Sequence, residues 1–164
     1  SVLCDLIFQY ARWQRDILMY IKDLLIRWIK QHKQPVHLRV GSWGERVAIC
    51  FLNRQGYKLL QKNVRIGRNG ELDAVMQYER TLIFVEVKTR KNEEFGRPFS
   101  AINRAKRKKV NEAALGYIKK NHIKPTYIRF DVVEVIGNPK QRTKPIIRHI
   151  QNAWTWPEGV HLWW

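Results

Sequence analysis

Three apolar runs separated by short turns fill the middle of the chain, and they constrain the fold more than any other feature. Tyr57 to Ile66, Glu71 to Gln77 and Thr81 to Thr89 each have strand length and strand composition. Gly67-Arg68-Asn69-Gly70 between the first two is a tight hairpin signal, and Tyr78-Glu79-Arg80 forms the second turn. The third run, through Leu82, Ile83, Phe84, Val85 and Val87, is apolar enough to be a central strand. Two charges, Glu86 and Lys88, interrupt it.

Helical patterns flank these strands. Ser42-Trp43-Gly44-Glu45 has capping-box spacing and predicts a helix over 41–55, with Val47, Ala48, Phe51 and Leu52 inward and Gly56 as the stop. Cys50 beside that face reads as a packed thiol. Ser100 is expected to cap a helix reaching about Lys120. Its inward residues are Ile102, Ala105, Val110, Ala113, Ala114 and Tyr117, and its outward face carries Arg104, Lys106, Arg107, Lys108 and Lys109. Tyr127 to Ile136 and Ile146 to Gln151 complete the strands. This order predicts an α/β fold: a mixed sheet with helices against it.

Residues 1–34 form a separate extension. Leu3, Tyr10, Ile17 and Leu24 recur every seven residues, with Leu6, Trp13 and Tyr20 three positions later, as in an amphipathic helix ending at Gln34-Pro35. That helix either docks on the body or on a second copy, giving a homodimer, or lies on a membrane surface. The sheet-and-helix body is expected over 41–153. Trp154, Trp156, Trp163 and Trp164 crowd a tail over 154–164, suited to packing more than to base stacking.

The 164 residues carry 31 Lys plus Arg against 14 Asp plus Glu, a net charge of +17, which favours polyanionic partners. Residues 1–40 hold +4 of this and the remainder +13, so the excess belongs to the body. The two cysteines, Cys4 and Cys50, form no Cys-x-x-Cys pair, which argues against a disulfide framework or structural zinc. No apolar run approaches the roughly 18 residues of a membrane span. Arg12, Arg15 and Asp16 break any signal-peptide core. A reducing cytoplasm is the expected compartment.

The chemistry-bearing constellation is Asp73 with Glu86-Val87-Lys88, spaced D-x12-E-x-K. Glu86 and Lys88 share one strand face, and Asp73 on the preceding antiparallel strand can sit beside Glu86. Two adjacent carboxylates repel unless a cation lies between them, and Mg²⁺, or Mn²⁺ in its place, meets that need. The alternative is a cross-strand ion pair with Lys88. Glu45 is either a helix cap or an outer contributor to the same metal site.

A family resemblance adds to this. Gly41-x-x-Gly44-Glu45-x-x-Ala48, Gly56-Tyr57, Asn63, Gly70-Glu71-Leu72-Asp73, Phe84-Val85-Glu86-Val87-Lys88-Thr89-Arg90, Phe95-Gly96, Lys106, Ala113-Ala114 and Arg129-Phe130-Asp131-Val132-Val133 closely resemble the YraN-like family over about residues 40–153. These small bacterial proteins are regarded as predicted endonucleases of the PD-(D/E)XK superfamily, related in fold to Holliday-junction resolvases. The resemblance implies a restriction-endonuclease-like sheet, metal-binding Asp73 and Glu86, a catalytic Lys88, and Glu45 as the helical glutamate of the resolvase-like branch. Glu71 matches a family position too, and its side chain is expected to face away from Asp73's metal side.

Three functions follow as expectations. One is a Mg²⁺-dependent endonuclease acting on DNA, including branched or repair and recombination intermediates. Another is a nucleic-acid-binding module without catalysis, using Arg65, Arg68, Arg90, Lys106, Arg107 and Lys109. The third is membrane or oligomer contact through residues 1–34.

Overall fold

The three central runs do form consecutive strands. The computed structural model describes residues 17–26, 36–67, 70–92, 102–141 and 143–156. Contacts divide the chain into two compact units, Ser1–Arg39 and Val40–Trp164. In the first, residues 17–26 form helix α1, on which Leu18, Met19, Tyr20 and Leu25 are exposed. The rest of the N-terminal stripe, together with Arg68, Ser100, Trp163 and Trp164, lies outside the described residues. No helix among the described residues is long and apolar enough to cross a membrane.

Helix α2 (Val36–Arg54) is followed by strands β1 (Lys58–Ile66), β2 (Gly70–Tyr78) and β3 (Thr81–Arg90), helix α3 (Arg104–Lys120), and strands β4 (Tyr127–Ile136) and β5 (Ile146–Trp154). The strands make one five-stranded sheet in sequence order. Neighbours are antiparallel except β3 and β4, which run parallel. A parallel pair needs a crossover, and α3 provides it.

Alternation along β3 and β4 sends side chains into two cores. Leu82, Phe84, Phe130 and Val132 meet Val110, Ala113, Ala114 and Tyr117 of α3. Ile83, Val85, Val87, Val133 and Val135 meet Ala48 and Leu52 of α2. With both faces covered, β3 reads as a nearly continuous apolar run. On the α3 side, Phe130 stacks between Phe84 and Trp154 with ring centroids 5.6 and 5.1 Å away.

Several boundaries differ from the sequence expectation, each for a local reason. Helix α2 starts at Val36, one residue past Pro35, so Ser42 and Glu45 lie inside it and form no capping box. Helix α3 is capped by Asn103, whose Oδ1 accepts from the Lys106 N–H at 2.9 Å. Ile102 is buried just ahead of that cap, whereas Ala105 is exposed. Cys50 is exposed rather than packed. Strand β5 continues to Trp154, which is core: its indole N–H donates to buried Asn111 at 2.9 Å. Trp156 packs edge-on against Phe130.

Gly44 sets how closely α2 approaches the sheet. It is buried, and a Cβ there would collide with the Thr89 hydroxyl on β3. Alanine normally stabilises a helix interior by about 0.5–1 kcal/mol over glycine, so overpacking must reverse the sign. Gly44→Ala is expected to destabilise the protein by about 1–3 kcal/mol in urea denaturation, with part of the loss recovered in a Thr89→Ala background. A stabilised Gly44→Ala protein would show that the helix is free to move away.

Candidate metal and phosphodiester site

The site grows from a fault line across two strands. The β1–β2 ladder pairs Lys62 with Ala74 and Val64 with Leu72, passing over Asn63 and Asp73. Asn63 has φ of 50°, the left-handed conformation that asparagine tolerates better than most residues. Strict alternation fails there. Leu72 and Val75 belong to the α3-side core, while Ala74 and Met76 belong to the α2-side core. The β2–β3 ladder also runs only from Tyr78↔Thr81 to Ala74↔Val85. One residue past its end, Asp73 Oδ2 accepts the Val87 N–H at 2.7 Å. A side-chain carboxylate thus replaces the missing strand carbonyl and fixes Asp73 against β3.

Glu86 lies between Val85 and Val87 and therefore faces α3, only 2% exposed. Its Oε1 accepts from Lys88 Nζ at 2.9 Å and from Lys106 Nζ at 3.0 Å. Its Oε2 is buried and has no partner. An unsatisfied buried carboxylate oxygen is costly, and in native proteins such a group is accounted for by an ordered water, an ion or a catalytic role. Burial and the Glu86 charge together push the Asp73 carboxyl up to about 7, although the Val87 N–H and Lys106 oppose the rise. Burial acts to lower Lys106, but the charge and hydrogen bond of Glu86 outweigh it, so Lys106 is raised and stays cationic.

Glu45 reaches the rim of this site from α2. Its carboxyl is raised by burial and then by the charge of Glu71, against a hydrogen bond from Asn63. Its own charge contributes to the rise at Asp73. Glu71 is exposed, 3.8 Å from Arg65, and its charge acts on both Glu45 and Lys106. Among the described residues, no three His, Cys, Asp or Glu side chains form a metal-ligand cluster. Asp73 and Glu86 are the close pair, and Glu45 stands outside it. An orphaned buried oxygen beside a carboxyl that resists ionisation fits a hard divalent cation with two protein carboxylates.

The basic residues singled out from sequence occupy different settings. Lys106 turns inward onto Glu86, being one helical turn before Val110 on the buried stripe. Arg90 Nε lies 3.0 Å from buried Glu134, which Arg148 approaches from β5 at 3.2 Å. Arg107 donates to the Ile102 carbonyl at 3.1 Å and covers the Trp154 ring. Arg65 is exposed near Glu71, and Lys109 is exposed on α3. Sequence reasoning missed Glu134 and Arg148. The parallel pairing of Lys88 with Glu134 brings Glu134 onto the same face, and only that register exposes the link.

A further buried acid, Asp131, faces α2. Arg129 binds it through both oxygens at 2.8 Å, His149 Nε2 lies 2.8 Å from Oδ2, and the Asn152 N–H donates at 3.0 Å. Burial alone would raise this carboxyl, but these hydrogen bonds hold it below its usual range. Arg129 and Gln151 also donate to the Tyr57 hydroxyl. Every oxygen here has partners, so this network anchors β4 to the irregular end of β5 and leaves no ligand position.

Known proteins match the stretch that builds these features. A profile of the family described as uncharacterised protein family UPF0102 matches residues 44–135. A UPF0102 protein of Clostridioides difficile strain 630 is 44% identical over 113 residues, 69% of this chain and 94% of that protein. One from Symbiobacterium thermophilum is 42% identical over 115 residues, 70% of this chain and 95% of its own length. One from Caldanaerobacter subterraneus subsp. tengcongensis is 40% identical over 114 residues, 70% and 93% of the two chains.

The raised Asp73 carboxyl makes a pH prediction for metal-free protein. Folded, it keeps its proton up to about 7; its ordinary value is 3.8. The resulting stabilisation is complete below the ordinary value and is lost as pH rises through the folded one. Asp73→Asn cannot ionise, so in EDTA its Tm relative to wild type should increase between pH 5 and pH 8. A constant difference across that range would show that Asp73 carries no such burden.

Proposed function

The chain belongs to UPF0102, the YraN-like family, described as uncharacterised, and we propose from the site's geometry that it is a metal-dependent endonuclease hydrolysing phosphodiester bonds in DNA. The observation that supports this reading most directly is the unpartnered, buried Oε2 of Glu86 beside Asp73. Asp73 and Glu86 are the residues that would hold Mg²⁺, or Mn²⁺ in its place. When bound, such an ion offsets charge building on the phosphate and makes water a stronger acid.

The chain's own groups supply the rest. Val87 N–H keeps Asp73 from rotating away as substrate enters. Lys88, partly exposed beside Glu86, can orient the attacking water and stabilise charge on the five-coordinate phosphorus. Lys106 remains protonated and adds fixed positive charge where phosphate oxygens gather. Water adds to phosphorus, one P–O ester bond breaks, and the leaving oxygen takes a proton. The surplus of +13 outside residues 1–40 draws a polyanion towards this site. Branched repair or recombination intermediates are the substrate class the family resemblance favours.

A second reading, DNA binding without cleavage, is favoured by one contact: Lys88 and Lys106 already both neutralise Oε1 of Glu86. The two readings separate on labelled duplex, flap and four-way-junction DNA with Mg²⁺ or Mn²⁺. Glu86→Gln is expected to reduce cleavage by at least about 100-fold while binding keeps its salt dependence. Absence of cleavage by wild type, or undiminished cleavage by the variant, leaves the binding reading in its place.

A further inference from the structure

We propose that the groove between α2 and β1 holds a single strand of nucleic acid continuing away from the Asp73–Glu86 site. The proposal rests on the phosphodiesterase reading and says where its substrate goes. The groove encloses roughly 680 Å³ and is lined on one side by α2 and on the other by β1, an edge strand of the sheet. That volume lies within the range of small-ligand clefts, enough for a strand of very few nucleotides and far too little for a duplex.

Charge is distributed along the groove in the way a polyanion requires. Its single acidic lining residue, Glu45, is the one whose charge reaches Asp73. Arg46, Arg54 and Lys62 are its cations, all exposed. A strand would thus meet acid only at the end nearest Asp73 and basic groups along the rest. Ile49, Leu59 and Leu60 give an apolar floor for base faces. Leu60 is exposed at 39% because the β1–β2 register shifts between Leu59 and Gln61. Asn53, Gln61 and Asn63 offer amides that both donate and accept, as base edges require. A positively charged track with apolar surface and little sequence discrimination is the general form of a single-strand site.

Cys50 lines the groove and is exposed, which gives a direct probe. In Cys4→Ser protein it is the remaining thiol of the chain's two. Maleimide alkylation of Cys50 is measured in EDTA with and without oligodeoxythymidine, binding being followed by fluorescence anisotropy in the same buffer. The bound oligonucleotide is expected to slow alkylation severalfold, and added salt to abolish the protection. The Arg54→Gln/Lys62→Gln protein should lose protection and show a single-strand salt slope smaller by about 1.4, from two fewer phosphate contacts. An oligonucleotide that binds while alkylation stays unchanged overturns the groove assignment and leaves the phosphodiesterase reading intact. An oligonucleotide that does not bind overturns the single-strand proposal, while the cleavage assay decides separately whether the enzyme reading stands. Equal loss of duplex and single-strand affinity in the double variant also overturns it.

Discussion

One buried charge organises the α3 face of this protein. Glu86 is placed by alternation in the middle of a sheet covered on both sides, where an isolated carboxylate is not tolerated. The neighbouring structure compensates at Oε1 with Lys88 from the same strand and Lys106 from the crossover helix, while Oε2 has no protein partner. Asp73 adds a second carboxyl, held by a backbone N–H that a regular hairpin would have given to a carbonyl. Helix α3 therefore closes the core and also delivers the ammonium group that makes the acidic pair tolerable.

The buried acids of the sheet are satisfied to different degrees. Asp131 is bound by an arginine, a histidine and a backbone N–H, leaving no capacity for anything else. Glu134 is bracketed by Arg90 and Arg148. Glu86 keeps one oxygen unpaired. The satisfied acids hold strands together, and Glu86 is the one with an oxygen left over for the proposed metal.

Much of this was legible in the residues, for reasons that also explain what was not. Period-two patterning placed β1 to β4 closely and put Glu86 and Lys88 on one face, because alternation is a local property of a strand. It failed at Leu72 to Val75, where the left-handed Asn63 resets both strands; nothing in the pattern around Asn63 marks that reset. The helix periodicity of α3 contained the inward turn of Lys106, one turn before Val110, but its charge argued for solvent. Ser42 has the spacing of a cap without being one, since capping depends on where the helix begins. Glu134 and Arg148 needed strand register, which single-chain patterning does not supply.

The crossover has a consequence for the order of assembly. Asp73 and Glu86 meet through a hairpin closed by a short turn, a local event that costs little chain entropy. Lys106 comes twenty residues after Glu86 and reaches it only when α3 has docked. A chain at that halfway stage holds two crowded carboxyls with Lys88 alone to offset them. Mild acid, which keeps the proton on Asp73, relieves that repulsion before the helix arrives.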